Sequence, residues 1–155
     1  MMNLLLVQHG QAKTEAEDPT RPLNAAGIAT AEKVAKWLSA SKVEVAEIRH
    51  SGKKRAEQTA SIFAKYLTPR QGITVTSGLN PTDDVSRIAS ELKEYSGPVM
   101  LVGHLPFLSR LMAFLITGDA EREVVHFQNA GVVCLGENEG RWRIEWVVVP
   151  DLVRE

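Results

Sequence analysis

Two short apolar runs that each end at a histidine dominate the pattern of hydrophobic and polar positions along this chain. The first occupies residues 4–7 and leads to His9, and the second occupies residues 98–102 and leads to His104. Unbroken apolar runs of this length are typical of strands buried on both faces of a parallel sheet. Open sheets of that kind bind ligands at the C-terminal ends of their strands. The pattern therefore predicts two imidazoles at the functional edge of one sheet.

Segments with helical periodicity separate the predicted strands. Apolar residues spaced three and four positions apart predict helices over residues 24–40, 53–67 and 106–117, and a further helix that begins at Thr82 or Asp83. Asn24 is a favourable N-cap for the first helix. The apolar face predicted for that helix consists of Ile28, Ala31, Ala35 and Leu38. The last helix is apolar on nearly all sides, and we expect it to be buried.

The remaining β-rich segments complete the predicted fold. Strands are expected at about residues 3–8, 46–49, 73–76 and 98–102, and an antiparallel hairpin at residues 132–135 and 142–149. Alternation of strands and helices followed by a hairpin predicts the α/β class. We expect a three-layer α/β/α sandwich with a mainly parallel sheet, C-terminal antiparallel strands and a single domain over residues 1–155.

Composition narrows the class of function. The formal net charge of the 155 residues is −1, so no overall field attracts nucleic acid or a membrane surface. The one cysteine, Cys134, excludes an internal disulfide and a multi-thiolate zinc site, and we expect it to be a buried, inert thiol. No signal peptide or membrane span is predicted. We therefore expect a cytoplasmic monomer without a metal or other cofactor.

Four polar side chains are predicted to converge at the sheet edge. His9 and His104 end two strands, Gln8 neighbours His9, and Arg55 opens the helix after the second strand. A neutral imidazole is a competent nucleophile toward phosphorus, and a guanidinium group matches the oxygens of a phosphoryl group. The loop over residues 11–23 follows His9 directly and is expected to lie over this site.

The structural alternative is that these histidines are ordinary capped side chains at strand ends. One such histidine would favour that interpretation, whereas two at equivalent positions favour the catalytic one. His50 and His126 have no such pattern around them, and we expect both to be surface or turn residues.

These residues resemble the histidine phosphatase superfamily, and within it the SixA-type phosphohistidine phosphatases. The resemblance rests on the strand–His9–Gly10 start, the Arg-Pro-Leu-Asn segment at residues 21–24, the Arg-Ala-Glu-Gln-Thr segment at residues 55–59, and the His-Leu-Pro segment at residues 104–106. It implies that His9 becomes phosphorylated and that Arg55 and His104 belong to the phosphate pocket. It also implies that Arg21 lies at the rim of that pocket.

The chain departs from the family pattern in two places. Gln8 replaces the arginine of the family's Arg-His-Gly signature, and residues 78–84 lack the family's usual general acid; Asp83 and Asp84 are expected to cap the third helix instead. Three functions stay open. They are a phosphatase for phosphohistidine on a protein, a slow phosphomonoesterase for small phosphate compounds, and a weakened domain that binds phosphate or phosphoprotein without turnover.

Overall fold

A computed structural model describes residues 2–155 and contains ten main elements. They are β1 (Met2–Gln8), α1 (Ala25–Ala40), β2 (Glu47–His50), α2 (Lys54–Leu67), β3 (Ile73–Val75), α3 (Val85–Glu91), β4 (Val99–Gly103), α4 (Phe107–Thr117), β5 (Val132–Asn138) and β6 (Arg141–Val148). Short 3-10 helices follow α3 and β6, at Leu92–Glu94 and Pro150–Leu152.

The six strands form one mixed sheet in the order β3-β2-β4-β1-β5-β6. Strands β1 to β4 are mutually parallel where they pair, whereas β5 is antiparallel to β1 and β6 is antiparallel to β5. The predicted α/β sandwich, the buried central position of β4 and the C-terminal hairpin are thereby confirmed. The parallel pairing of β1 and β4 brings Gln8 level with Gly103, so His9 and His104 leave the sheet side by side.

Helices cover both faces of the sheet. On one face, α1 and α2 pack against Leu5 and Val7, and on the other α3 and α4 pack against Leu4 and Leu6. All four of these β1 side chains are at most 1% exposed. The alternation of a strand explains how consecutive residues enter different cores, and it makes β1 a rigid support for the residues that follow it.

Helix α1 begins as predicted, with the Asn24 side chain accepting a hydrogen bond from the amide of Gly27 at 2.8 Å. Its predicted apolar face is wrong at one position, because Ile28 is 41% exposed while Gly27 is buried. A Cβ atom at Gly27 would lie 2.0 Å from the carbonyl oxygen of Gln11. The first turn of α1 therefore packs by backbone contact against the loop after β1, and that contact rotates Ile28 outward.

The other helices and the strands differ from prediction mainly at their ends. Helix α3 begins at Val85, two or three residues late, because Asp84 is the N-cap and accepts from the Ser86 amide at 2.9 Å. Helix α4 is buried on one face and half-buried on the other, with no exposed residue from Phe107 to Ile116, which agrees with its expected burial. Strand β2 lies one residue later than predicted, and β3 ends at Val75 rather than Thr76. No helix within residues 2–155 is long and apolar enough to cross a bilayer.

Candidate active site

His9 is held at the end of β1 by three hydrogen bonds. Its amide donates to the Gly103 carbonyl at 3.0 Å, its carbonyl accepts from Asn129 Nδ2 at 2.9 Å, and its Nδ1 atom lies 2.7 Å from the Gly10 carbonyl oxygen. A carbonyl only accepts, so Nδ1 carries the ring proton and Nε2 keeps its lone pair. Burial lowers the pKa of His9 to about 4, with a smaller contribution from Arg55. The ring is therefore neutral near pH 7, with Nε2 available as a nucleophile.

His104 lies beside it, with 5.1 Å between the two ring centroids. Its Nε2 atom is 2.6 Å from Ser51 Oγ, and that oxygen also accepts from the Lys53 amide at 3.3 Å. A Ser51 hydroxyl that donates to Nε2 would leave the ring proton of His104 on Nδ1. Nδ1 is buried and has no partner in the described residues. Burial, followed by the charge of a protonated His9, lowers the pKa of His104 to about 3.

Two guanidinium groups supply positive charge to the same place. Burial and then the charge of Arg21 lower the pKa of Arg55, and the charges of Arg55 and Arg21 both lower the pKa of each imidazole. The ion pairs found in residues 2–155 engage neither arginine, and Arg55 Nε is buried without a partner. Cations gathered in this way without a carboxylate favour an anionic ligand.

The first turns of α2 assemble the site from three directions. The charge of Arg55 lowers the pKa of both histidines, the Gln58 carboxamide accepts from the Leu23 amide at 2.7 Å, and the Thr59 hydroxyl accepts from the Gly10 amide at 2.9 Å. The same hydroxyl donates to the Arg55 carbonyl at 2.8 Å. One helical segment therefore anchors both the residue after His9 and the loop that carries Arg21.

Arg21 itself occupies a constrained position in that loop. Its φ angle is 47°, in the left-handed region that a non-glycine residue adopts at a cost. Its amide donates to the Asp18 carbonyl at 2.9 Å, and its Nε donates to the Lys13 carbonyl at 3.0 Å. The bond through Nε occupies one of the guanidinium nitrogens and leaves the two terminal nitrogens for a ligand.

Gln8 lies at the border of this site. Its main-chain carbonyl accepts from the Ala130 amide, and its side chain lines a cavity of about 410 Å³ that also borders Gln11 and Asn129. Its Oε1 atom is buried and has no partner in the described residues. Gln8 immediately precedes His9 in the chain, but its carboxamide brings no charge to the anion pocket.

Comparison with known proteins identifies the family. Residues 4–84, just over half of the chain, match the sequence profile of the histidine phosphatase superfamily, branch 1. The chain belongs to this superfamily. It is also 31% identical over 123 residues to the phosphohistidine phosphatase SixA of Escherichia coli strain K12, a match that covers 76% of each chain. It is therefore a phosphatase of the hydrolase class and resembles the SixA type.

Solved structures agree with this assignment. The protein histidine phosphatase SixA complexed with tungstate superposes with a TM-score of 0.88 at 27% identity, over 99% of this chain and 100% of that one. The α-ribazole phosphatase of Shigella flexneri superposes with a TM-score of 0.78 at 19% identity, over 96% and 97% of the two chains. The second likeness shows the shared fold alone.

Two further histidines and the cysteine lie outside the candidate site. His126 is exposed as expected, whereas His50 is only 3% exposed, so the surface prediction for it is wrong. His50 ends β2 and its Nδ1 accepts from the Gly52 amide at 3.1 Å, which shapes the turn before α2. Cys134 is 1% exposed, and burial raises the pKa of its thiol to about 11, as an inert thiol requires.

Sequence reasoning missed the supporting side chains. Gln58 and Thr59 belong to the segment over residues 55–59 that resembles the family, and Ser51 lies just before it, but the sequence predicts no role for any of the three. A weak signal was available for two of them: Gln58 and Thr59 lie three and four positions after Arg55, hence on one face of a helix with it. Ser51 offered no such signal, because its partner His104 is 53 residues away in the chain.

Proposed function

We propose that this chain hydrolyses phosphohistidine on a protein, through a phosphoryl group carried transiently by His9. The observation that supports this most is the pairing of a neutral imidazole, its Nε2 lone pair free, with two arginines that lack a carboxylate partner. A phosphoryl group in transfer spreads its negative charge over three oxygens, so catalysis depends chiefly on positioning and on compensating charge. Arg55, Arg21 and the Nδ1 proton of His104 would meet those oxygens.

The proposed reaction has two steps. In the first, His9 Nε2 forms a bond to phosphorus, the bond from phosphorus to the substrate imidazole breaks, and that imidazole retains or takes up a proton from water. In the second, water attacks phosphorus, the bond to Nε2 breaks, and the water proton leaves to solvent. The sum is one phosphohistidine and one water converted to histidine and phosphate, with His9 restored.

The segment after β3 offers no free carboxyl group to act as a general acid for the leaving group. Asp84 caps α3, and the Asp83 carboxylate accepts from the Asn80 amide at 2.9 Å, so both acidic groups after β3 have structural partners. An enzyme without a general acid favours a leaving group that departs without being protonated in the same step. Imidazole departs from phosphorus far more readily than an alkoxide, which favours P–N over P–O cleavage. The similarity to SixA proteins, which are named as phosphohistidine or protein histidine phosphatases, also supports phosphohistidine as the substrate.

One observation favours a second candidate. Gln8 stands where the family has arginine, and loss of a charged donor weakens stabilisation of the phosphoryl oxygens. A domain that binds a phosphoprotein without turning it over would tolerate that loss. The slow small-molecule phosphomonoesterase stays as a third candidate.

Rates on matched substrates distinguish the three. We expect faster hydrolysis of a phosphohistidine peptide than of the phosphoserine peptide of the same sequence, with p-nitrophenyl phosphate and phosphoramidate as small-molecule references. Hydrolysis of both peptides at equal rates, or of p-nitrophenyl phosphate alone, would contradict the proposal. Binding of phosphate without turnover of any substrate would favour the binding domain.

A further inference from the structure

A second, chemically different surface adjoins the anion pocket. The cavity of about 410 Å³ is lined by four carboxamide side chains, Gln8, Gln11, Gln128 and Asn129, and we call it the amide cavity. Its volume lies within the range of sites that bind small ligands or short segments. The four residues come from the end of β1, the loop after it and the segment before β5, so the chain gathers them from separate regions.

The amide cavity is connected to the reacting centre by covalent and hydrogen bonds. Gln8 immediately precedes His9, and Asn129 Nδ2 donates to the His9 carbonyl at 2.9 Å. The adjacent Ala130 amide donates to the Gln8 carbonyl at 2.8 Å. Gln8 and Asn129 thus join the wall of the cavity to the backbone of His9.

The charge of the amide cavity excludes some ligands. No lysine or arginine lines it, and Asp151 is the acidic residue in its wall. An anionic metabolite would therefore find positive charge only at its phosphoryl end. A carboxamide offers both a donor and an acceptor, which is the combination that each peptide unit of a main chain needs.

We propose that the amide cavity binds the main chain of a peptide beside the phosphohistidine, so that the site selects protein substrates by hydrogen bonds to the peptide backbone. This inference rests on the proposed function and deepens it. In this proposal the arginines of the anion pocket bind the phosphoryl group, and the carboxamides of the amide cavity bind the peptide that carries it. Small phosphoramidates use the first side only.

The test compares a phosphohistidine peptide with phosphoramidate in the double variant Gln11→Ala, Gln128→Ala. Neither residue contacts the proposed reacting atoms. Gln71→Ala is the matched control, because Gln71 is exposed just before β3, at the opposite end of the strands. We expect kcat/KM for the peptide to fall about tenfold or more through a higher KM, on the scale of two lost hydrogen bonds. The value for phosphoramidate should change by less than about twofold.

Each outcome has a separate meaning. A parallel fall for both substrates, or an unchanged value for the peptide, would overturn the role of the amide cavity. Turnover of phosphoramidate but not of the peptide in the wild-type protein would instead overturn the proposed function. If neither substrate is turned over, the test is binding of a peptide that carries a stable phosphonate analogue of phosphohistidine. Weaker binding of this peptide by the double variant, with unchanged binding of inorganic phosphate, supports the role of the amide cavity. Equal binding of the peptide by the double variant and the wild type overturns that role.

Discussion

The Oγ atom of Ser51 lies 2.6 Å from Nε2 of His104 and joins the end of β2 to the end of β4. We predict that the Ser51 hydroxyl, which also accepts from the Lys53 amide, donates to Nε2 and keeps the proton of His104 on Nδ1. Ser51 is therefore a positioning residue for His104.

Substitution of Ser51 tests that relationship. Ser51→Ala should lower kcat about tenfold, the scale of one hydrogen bond, and Ser51→Thr, which keeps the hydroxyl, should restore most of it. The ¹⁵N shifts of His104 should report protonated Nδ1 in the wild type and a mixture of tautomers in Ser51→Ala. Equal rates in all three proteins, with an unchanged His104 tautomer, would assign the serine a purely structural role.

Acidification should affect stability in a defined direction. The folded-state pKa values of His9 and His104 are about 4 and about 3, below the value near 6.5 of an exposed histidine. The unfolded chain therefore binds protons first as pH falls, and stability present above pH 6.5 is lost between pH 6.5 and the folded values. The upper limit of this loss is about 3 kcal/mol for His9 and about 5 kcal/mol for His104, at about 1.4 kcal/mol per pKa unit. Urea titrations at pH 7.5 and 5 measure it, and a free energy of unfolding that rises on acidification would be inconsistent with buried neutral imidazoles.

The same pKa values predict the pH profile of turnover. Since His9 of the free protein is neutral down to about pH 4, kcat/KM, which reports the free enzyme, should not fall through the usual histidine titration near pH 6.5. A steady-state profile on phosphoramidate between pH 5 and 8 measures this. A decline of the rate centred at pH 6 to 7 that disappears after correction for protonation of the substrate is consistent with this assignment. A decline that persists after that correction contradicts it.

Arg55 should dominate binding of the oxyanion. Phosphate or vanadate should raise the melting temperature in the presence of a chelator, since guanidinium groups suffice to bind an oxyanion. Arg55→Ala should abolish most of that shift, and Lys54→Ala should retain it, because Lys54 is exposed and lies near Glu57 instead. A requirement for a divalent cation, or equal loss in both variants, would speak against this pocket.

Gln8 offers a test in the direction of increased activity. Gln8→Arg should raise the rate on phosphoramidate, because a guanidinium stabilises charge on the equatorial oxygens that a carboxamide leaves uncompensated. We expect an unchanged or slightly lower melting temperature, since another cation joins Arg55 and Arg21. An unchanged rate would show that the existing arginines already satisfy the transferring group.

Strands and helix starts could be predicted from the local sequence pattern, whereas side-chain burial and contacts that depend on tertiary packing could not. The apolar runs before His9 and His104 were sufficient to place two strands and their shared edge, and Asn24 was sufficient to place the start of α1. Ile28 fitted the helical period but is exposed, because the backbone contact at Gly27 is invisible to periodicity. The burial of His50 and the Ser51–His104 bond were unpredictable because their partners are fixed by the turn into α2 and by the pairing of β2 with β4.

The central claim is that His9 carries the phosphoryl group, and trapping that intermediate tests it most directly. Rapid acid-free quenching of the wild-type protein with ³²P-labelled phosphoramidate, followed by peptide mapping, should place an acid-labile, base-stable label on His9. His126→Ala, which changes an exposed histidine, should retain the label. His9→Ala should fold, bind phosphate and show neither label nor turnover. Turnover that persists in folded His9→Ala, or a label on another residue, would contradict the account.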